Sequence, residues 1–421
     1  MSSPYLYSLR LADWKSFGAE IVVPIAPVTV LIGPNASGKS NVLDALRFLQ
    51  GAALDYSLGE VLHGRIEGQR EIWPGIRGGV VEAARLGTTG FALSTEWNLD
   101  FESGVSAGDQ QANLAKHVLK VDTQGEVAVA AEALFDGRWN AFFDTHAAAL
   151  GNSVGRIQGG GLRVAFKASG PGNSPVATLS SSRSLLGQVE ATGRIAKVVE
   201  QVSHQVRSAL REIVFLDIQP ARMRDYKPEN GGQLGVSGEN ISPALLALSQ
   251  QEGRLQDVVD WLSEFCAPGI EDIDFDHTQL RSVMMFLVER AGRRVSASSI
   301  SDGTLRFLGH LVALLTCTPG ALLVVEEPDA GLHPSRIHLL AELLERIAKD
   351  RGIQVLATTH SPTLLANLSD EALGDVVAFG RHPETGLTVC SQLDKLPHFD
   401  DLRRSDHLER LISTGWVERA L

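Results

Sequence analysis

The apolar positions of this chain fall into two kinds of run. VTVLI (28–32), ALLVV (321–325) and IQVLA (353–357) are short and unbroken, the pattern of strands covered on both faces. NVLDALRFLQ instead repeats Val42, Leu46 and Leu49 at helical spacing, SDGTLRFLGHLVALL reads as the start of a helix, and RIHLLAELLERIAKD is an amphipathic helix. Strands alternating with helices predict a largely parallel α/β sheet. Near the start of the chain Tyr7, Leu9 and Leu11 alternate with Ser8 and Arg10, so the first three are expected on one face of a strand; IVVPI follows a turn at Gly18. VMMFLV and RRVSAS are expected to be two strands joined at ERAGR.

Between about 100 and 200 the text changes to Gly, Ser and Ala clusters such as GNSVGRIQGGG and KASGPGNSP. This predicts a hairpin-rich or loop-rich insertion, with no heptad repeat long enough for a coiled-coil arm. A helix near 193–212 then leads into IVFLDIQPARMRDY. FLGHLVALLTCTPGALLVV is the one stretch long enough to suggest a membrane span. Pro319-Gly320 divides it into a helix and a strand, each short of the about 20 residues a span needs. No secretory leader is expected, because MSSPYLYSLRLADWKSF lacks a basic start and a long apolar core.

Composition narrows the class. The 421 residues are 44% hydrophobic, with mean hydropathy +0.02, enough for an ample core. A net charge of −12 supplies no global field for nucleic acid. Cys266, Cys317 and Cys390 stand alone, without metal or redox spacing, which fits buried thiols and a cytoplasmic location.

GPNASGKS, Gly33 to Ser40, fits G-x-x-x-x-G-K-[ST] between a predicted strand and a predicted helix. Glycines at 33 and 38 let successive N–H groups turn toward phosphate oxygens, and the helix start adds partial positive charge. Gly33, Pro34, Asn35, Ala36, Ser37, Gly38, Lys39, Ser40 and Asn41 are therefore candidate ATP-binding residues. Lys39 is assigned to the β- and γ-phosphates and Ser40 to Mg²⁺. ALLVVEE brings Glu326 and Glu327 to the carboxyl end of a buried strand, where ligands bind in open α/β sheets. Glu326 is assigned to the metal's water shell, and Glu327, one residue beyond the strand, to the attacking water as general base. IQVLATTHSP ends a further strand at Thr358, Thr359 and His360, where an imidazole can reach a γ-phosphate.

GPNASGKSN, SDGTLRFL, LLVVEEPDAGLHP and ATTHSP, in that order, resemble the ABC-type ATPases of the SMC/RecF/OLD-like group, above all the compact AAA-labelled ATPases of DNA repair and antiphage defence. LRLADWKSFG is similar to that group's first strand, and the block from FLDIQPARMRDY to SPALLAL to the segment before its second lobe. The resemblance implies a bilobed P-loop NTPase head of α/β class, with a mostly parallel sheet, an antiparallel β lobe and a helical lobe. The resemblance covers roughly 1–55 and 213–365; together with the composition of the rest it divides the chain into an N-terminal lobe with the P-loop (1–100), the loop-rich insertion (101–200), a second lobe with signature, acidic strand and switch histidine (201–370), and a C-terminal tail expected to pack on the head (371–421), all one ATPase domain. It also implies that Ser301, Asp302 and Gly303 form a signature loop touching the γ-phosphate on a partner subunit. PDAGLHP would then be the D-loop at a dimer interface, and His360 the switch histidine.

Three departures matter. ISDGT stands where transporter ATPases carry LSGGQ, Glu326 replaces the commoner aspartate, and the Q-loop glutamine is not located, with Gln69, Gln110 and Gln111 as candidates. The residues after His360 are too few for the Toprim domain of OLD-like nucleases, so any nuclease is expected on a partner protein. Arg222 and Arg224, the Arg290, Arg293 and Arg294 cluster, and Arg403-Arg404 can contact a DNA backbone, but a solvated or ion-paired face is expected in so acidic a chain. Leu402, Leu408, Leu411 and Ile412, with Trp416 beyond, are expected to pack on the chain's own domain. The resulting expectation is a Mg²⁺-dependent ATPase closing as a homodimer on two ATP molecules and regulating a separately encoded effector or nuclease. An ATP-gated switch with little turnover and a transporter's nucleotide-binding subunit are the alternatives.

Overall fold

The computed structural model describes residues 4–101, 113–145, 156–157, 160–169, 174–189, 195–230, 232–267, 269–397, 399 and 419–421. The chain opens with β1 (Tyr5–Ala12), β2 (Ile21–Pro24) and β3 (Val28–Ile32), followed by α1 (Lys39–Ala53) and α2 (Leu58–His63). Next come the hairpin β4 (Arg65–Glu67) and β5 (Arg70–Trp73), α3 (Gly79–Ala83), β6 (Gly90–Asn98), β7 (Leu114–Asp122), β8 (Ala128–Asp136), β9 (Ala141–Asp144), β10 (Arg156–Ile157), β11 (Gly161–Phe166) and β12 (Val176–Ser180). The second half holds α4 (Lys197–Arg211), β13 (Val214–Leu216), β14 (Lys227–Pro228), α5 (Ile241–Ser249), α6 (Arg254–Phe265), β15 (Ile270–His277), β16 (Ser282–Glu289) and β17 (Arg294–Ser296). It closes with α7 (Asp302–Thr316), β18 (Leu322–Glu326), α8 (Ile337–Arg351), β19 (Gln354–Thr358), α9 (Pro362–Ala366), α10 (Asp370–Gly374), β20 (Val377–Arg381) and β21 (Thr388–Gln392).

The central sheet runs β13-β18-β19-β3-β20-β21. All its pairings are parallel except that of β21. Every residue of β3 and of β19 is buried, Thr29, Gln354 and Thr358 included, as strands covered on both faces require. Alternate residues feed two separate cores. Val30, Leu323, Val325 and Val355 join α5, α6, α7 and α8 on one face, while Leu31, Leu322, Val324 and Leu356 join α1, α4 and a second sheet on the other. That second sheet is antiparallel, nine-stranded, and ordered β10-β11-β9-β8-β7-β6-β1-β2 with β12 on β11. A small sheet of β14, β16, β15 and β17 covers the helical side.

Residues 101–200, read as hairpin-rich or loop-rich, are hairpin-rich: β7–β8, β8–β9 and β11–β12 pair antiparallel, and the segment supplies six of the strands in the nine-stranded sheet and shares its core with β1 and α1. Two sequence expectations change. Residues 371–397, read as part of a tail, enter the central sheet, β20 pairing with β3 at Val377↔Leu31 and Ala378↔Ile32. Tyr7 does not share a face with Leu9 and Leu11: it is 42% exposed, whereas Leu6, Leu9 and Leu11 are fully buried. The cause is a break in register between Leu6 and Ser8, which shifts the alternation by one. The buried Gln354 side chain accepts from the Leu6 N–H at 2.8 Å and donates to its carbonyl at 2.9 Å, satisfying the backbone that β2 leaves unpaired.

The ERAGR hairpin forms as expected, β16 pairing with β17. In it Arg294 pairs with Asp274, and Arg224 pairs with Asp302, so these two arginines are ion-paired. Leu402, Arg403-Arg404, Leu408, Leu411, Ile412 and Trp416 lie outside the described residues, but Leu421 packs on Gly380. Among the described residues no helix is long and apolar enough to cross a membrane.

His310, on α7, is 2% exposed and its Nδ1 has no partner. Burial, reinforced by Arg306, pushes its imidazole from 6.5 down to about 3. The unfolded chain therefore takes up this proton below pH 6.5 and the folded chain does not. The stability is fully present above pH 6.5 and declines as pH falls toward about 3. His310→Leu is expected to flatten the fall in Tm across that window; an unchanged fall would assign acid sensitivity to other groups.

Candidate nucleotide site

β3 ends at Ile32 and the chain turns through Gly33 (φ 141°), Ala36 (φ 61°) and Gly38 (φ 114°) before α1 begins at Lys39. Glycine is required at two of these. A Cβ on Gly33 would lie 2.2 Å from the Phe379 carbonyl oxygen, and one on Gly38 2.5 Å from Thr388 Oγ1. Gly38 caps α1 without a side-chain bond to the helix N–H groups, leaving them for an anion. Lys39 is 6% exposed and donates to the Gly33 and Pro34 carbonyls at 2.7 and 3.0 Å. Burial lowers its ammonium pKa, against the opposing pull of Glu327 and Glu326. The Asn41 amide donates to Ser16 Oγ at 2.7 Å, tying α1 to the loop after β1.

The two acids are not equivalent. Ser40 Oγ donates to Glu326 Oε1 at 2.9 Å, so both assigned metal-side oxygens already meet. Glu327, just past β18, has φ 48°, an uncommon left-handed backbone for a non-glycine residue. Its N–H is held by the Thr358 carbonyl and Oγ1 at 3.1 and 3.2 Å. That kink aims its carboxylate at the next strand end, where Oε1 lies 3.7 Å from His360 Nε2. Thr359, fully buried, donates to Asp329 Oδ1 at 2.7 Å and so fixes PDAGLHP to the strand that carries His360.

Asn35, Ala36, Ser37, Gly38, Lys39, Ser40 and Asn41 line a cavity of about 290 Å³ together with Glu326, Glu327, Thr358, His360 and Arg381. Ser301, Asp302 and Gly303 do not line it. Ser301 caps α7, accepting from the Thr304 N–H at 3.2 Å, and a Cβ on Gly303 would sit 3.2 Å from the Gly331 carbonyl oxygen. The segments read as signature and D-loop therefore abut each other at Gly303 and Gly331.

Arg381 and Thr388 were not found from sequence, although VVAFGR ends an apolar run in a charge just as VVEE does. Arg77 was missed as well. It donates to the Ser40 carbonyl at 3.0 Å and to Asp44, which also holds Lys15, so α1 is braced from the loop after β1 and from the loop before α3. Of the glutamine candidates, Gln69 is exposed in the β4–β5 turn, and Gln110 and Gln111 lie outside the described residues. Gln219 donates to Asp217 at 2.8 Å, both shortly beyond β13, the strand next to the acidic one.

The residues fit a Mg²⁺-bound nucleotide. The helix start lacks a capping side chain, the Ser37 hydroxyl is buried without a partner, and the hard oxygens of Ser40 and Glu326 suit Mg²⁺. Among the described residues no group of three or more His, Cys, Asp or Glu side chains could hold a metal.

Fold and site together define a P-loop nucleotide-binding head of the SMC/ABC ATPase type. The chain belongs to the family described as "AAA domain, putative AbiEii toxin, Type IV TA system", whose model matches residues 28–93 and 198–366, more than half of its length. It is 50% identical over 50 residues to the chromosome partition protein Smc of Synechocystis sp., 12% of this chain and 4% of that protein. It is 29% identical over 129 residues to the "Putative ABC transporter ATP-binding protein" of Geobacter sulfurreducens, 27% of this chain and 46% of that one. In each case less than half of the relative's length is matched. A solved Smc head bound to the C-winged helix domain of ScpA superposes over 93% of this chain and 99% of its own, with a TM-score of 0.51 and 14% identity, which establishes the shared fold.

Thr359→Val, which keeps the shape and removes the hydroxyl, leaves Asp329 and the Ser361 N–H without their partner. Urea unfolding should show a loss of about 1–3 kcal/mol, with Thr359→Ser closer to wild type; equal stability of all three would mean the D-loop is held otherwise.

Proposed function

We propose that the chain binds ATP with Mg²⁺ at Gly33 to Asn41, hydrolyses it, and closes head-to-tail on a second copy through Ser301 and Gly303. The observation that carries this reading is the meeting of Lys39, Ser40, Glu326, Glu327 and His360, from three strand ends, around one cavity. Lys39 exchanges its two loop carbonyls for phosphate oxygens, a stronger, charge-assisted partner. Ser40 and Glu326 hold the metal side, and bound Mg²⁺ supplies neutralising charge on the β- and γ-phosphates. Glu327 accepts the proton of the attacking water, and His360 holds that water against the γ-phosphate. Gln219 takes the Q-loop place, at the end of the strand beside β18.

Dimer closure is supported by the fact that Ser301, Asp302 and Gly303 are not among the residues lining their own chain's cavity: the exposed Ser301 at the start of α7 offers an anion site to another molecule. We further infer that the cycle regulates a separately encoded effector or nuclease in defence or repair. The family's reference to a toxin and a type IV TA system supports this, as does the Smc head's seat for a second protein.

Glu327→Gln tests the chemistry. Steady-state phosphate release should fall about 100-fold or more, while ATP-induced dimerisation, followed by light scattering, persists. An unchanged rate would sink the general-base assignment. A wild type that dimerises on ATP but releases no phosphate would favour a binding switch.

A further inference from the structure

Arg381 is the last residue of β20 and lies at the same edge of the central sheet as the P-loop. Its Nε donates to the Ala36 carbonyl at 2.7 Å and its Nη1 to the Gly386 carbonyl at 2.9 Å. These two bonds pin the guanidinium between the P-loop and the β20–β21 turn. Three of its five N–H donors remain, at the wall of the cavity that Lys39, Ser40, Glu327 and His360 also line. Among the described residues it forms no ion pair, in contrast to Arg77, which Asp44 neutralises. Partial burial lowers its pKa, and no carboxylate acts to raise it. A fixed cation without an anion, in a cavity built around an anion-binding loop, is an incomplete site.

We propose that Arg381 completes the site by donating directly to the polyphosphate of the bound nucleotide, as a second cation beside Lys39. The inference rests on the ATP-binding reading above. The planar guanidinium meets phosphate oxygens through parallel N–H bonds that an ammonium cannot reproduce. Because Arg381 holds Ala36, whose backbone sits in the left-handed region at φ 61°, the contact also couples the loop's shape to the ligand.

A bracing role alone must be separated from a direct contact. Thr388, cross-strand partner of Arg381, provides the control. It donates to the Ser37 carbonyl at 2.9 Å and so braces the same loop without charge. Binding of a fluorescent ATP analogue and of ATP in competition should be measured with Mg²⁺ across a NaCl series on full-length wild type, Arg381→Met, Arg381→Lys and Thr388→Val. Melting without nucleotide is recorded for each. Arg381→Met should weaken ATP binding about ten- to hundred-fold and flatten its salt dependence, since one screened charge pair is gone. Arg381→Lys should recover the salt dependence and part of the affinity, and Thr388→Val should keep the wild-type salt slope. Wild-type affinity in Arg381→Met overturns the proposal. So does a loss shared equally with Thr388→Val at unchanged slope, which makes Arg381 a brace. A wild type that binds no ATP fails differently, by removing the reading on which the inference stands.

Discussion

The candidate site depends on one constraint: β13, β18, β19, β3 and β20 run parallel and in register. Parallel pairing sends all five carboxyl ends to the same edge, where open α/β sheets bind ligands. Each end delivers a different chemical group: Asp217 and Gln219 after β13, Glu326 and Glu327 at β18, Thr358 to His360 at β19, the P-loop after β3, and Arg381 at β20. Register sets the spacing, with Glu326 opposite Thr358 and Thr358 opposite Leu31. A slip of one residue in β19 would exchange Val355 and Leu356 between the two cores. The packing of both faces thus fixes the alignment of the chemistry at the end.

The two cores also anchor the two helices whose starts bind anions in the proposed cycle. Helix α1, which begins at Lys39, is buried through Val42, Leu46 and Leu49 in the core shared with the nine-stranded sheet. Helix α7, capped by Ser301, is buried through Leu305, Leu308 and Leu311 in the core on the opposite face. A helix start is a useful anion site only if it is held still. Here the strands from residues 101–200 contribute, because Leu119, Val129 and Leu134 pack into the core that holds α1. The buried His117–Glu132 pair, with Ser184 and the Leu185 N–H on the same carboxylate, ties that sheet to the turn before α4.

Much of this was legible in the sequence where a signal is local. The runs VTVLI, ALLVV and IQVLA are strands because each is short, dominated by apolar and β-branched side chains and interrupted by no charge, and the groups that follow each run lie at the strand ends. The face of β1 was not legible, since it turns on a break in register that Gln354 stabilises from a strand far along the chain. Residues 101–200 read poorly because small side chains such as those of AVAAEAL carry little contrast between faces, yet Ala128, Val129, Ala131 and Leu134 are all buried. Arg381 was overlooked because VVAFGR was assigned to a tail, and only the pairing of β20 with β3 gives its charge a place.

The distribution of charge at the edge explains how an acidic chain can receive a polyanion. Arg77 and Lys15 are taken up by Asp44, and Arg47 lies over the Phe215 ring. Lys39 and Arg381 are held instead by backbone carbonyls, and neither forms an ion pair among the described residues. A carbonyl dipole fixes a cation in position without neutralising it. An incoming phosphate then has no ion pair to break, only a weaker partner to replace. Glu326 and Glu327 line the same cavity, where the Ser40 hydroxyl and His360 already face them. The net charge of −12 therefore matters less to this site than which partner each cation has been given.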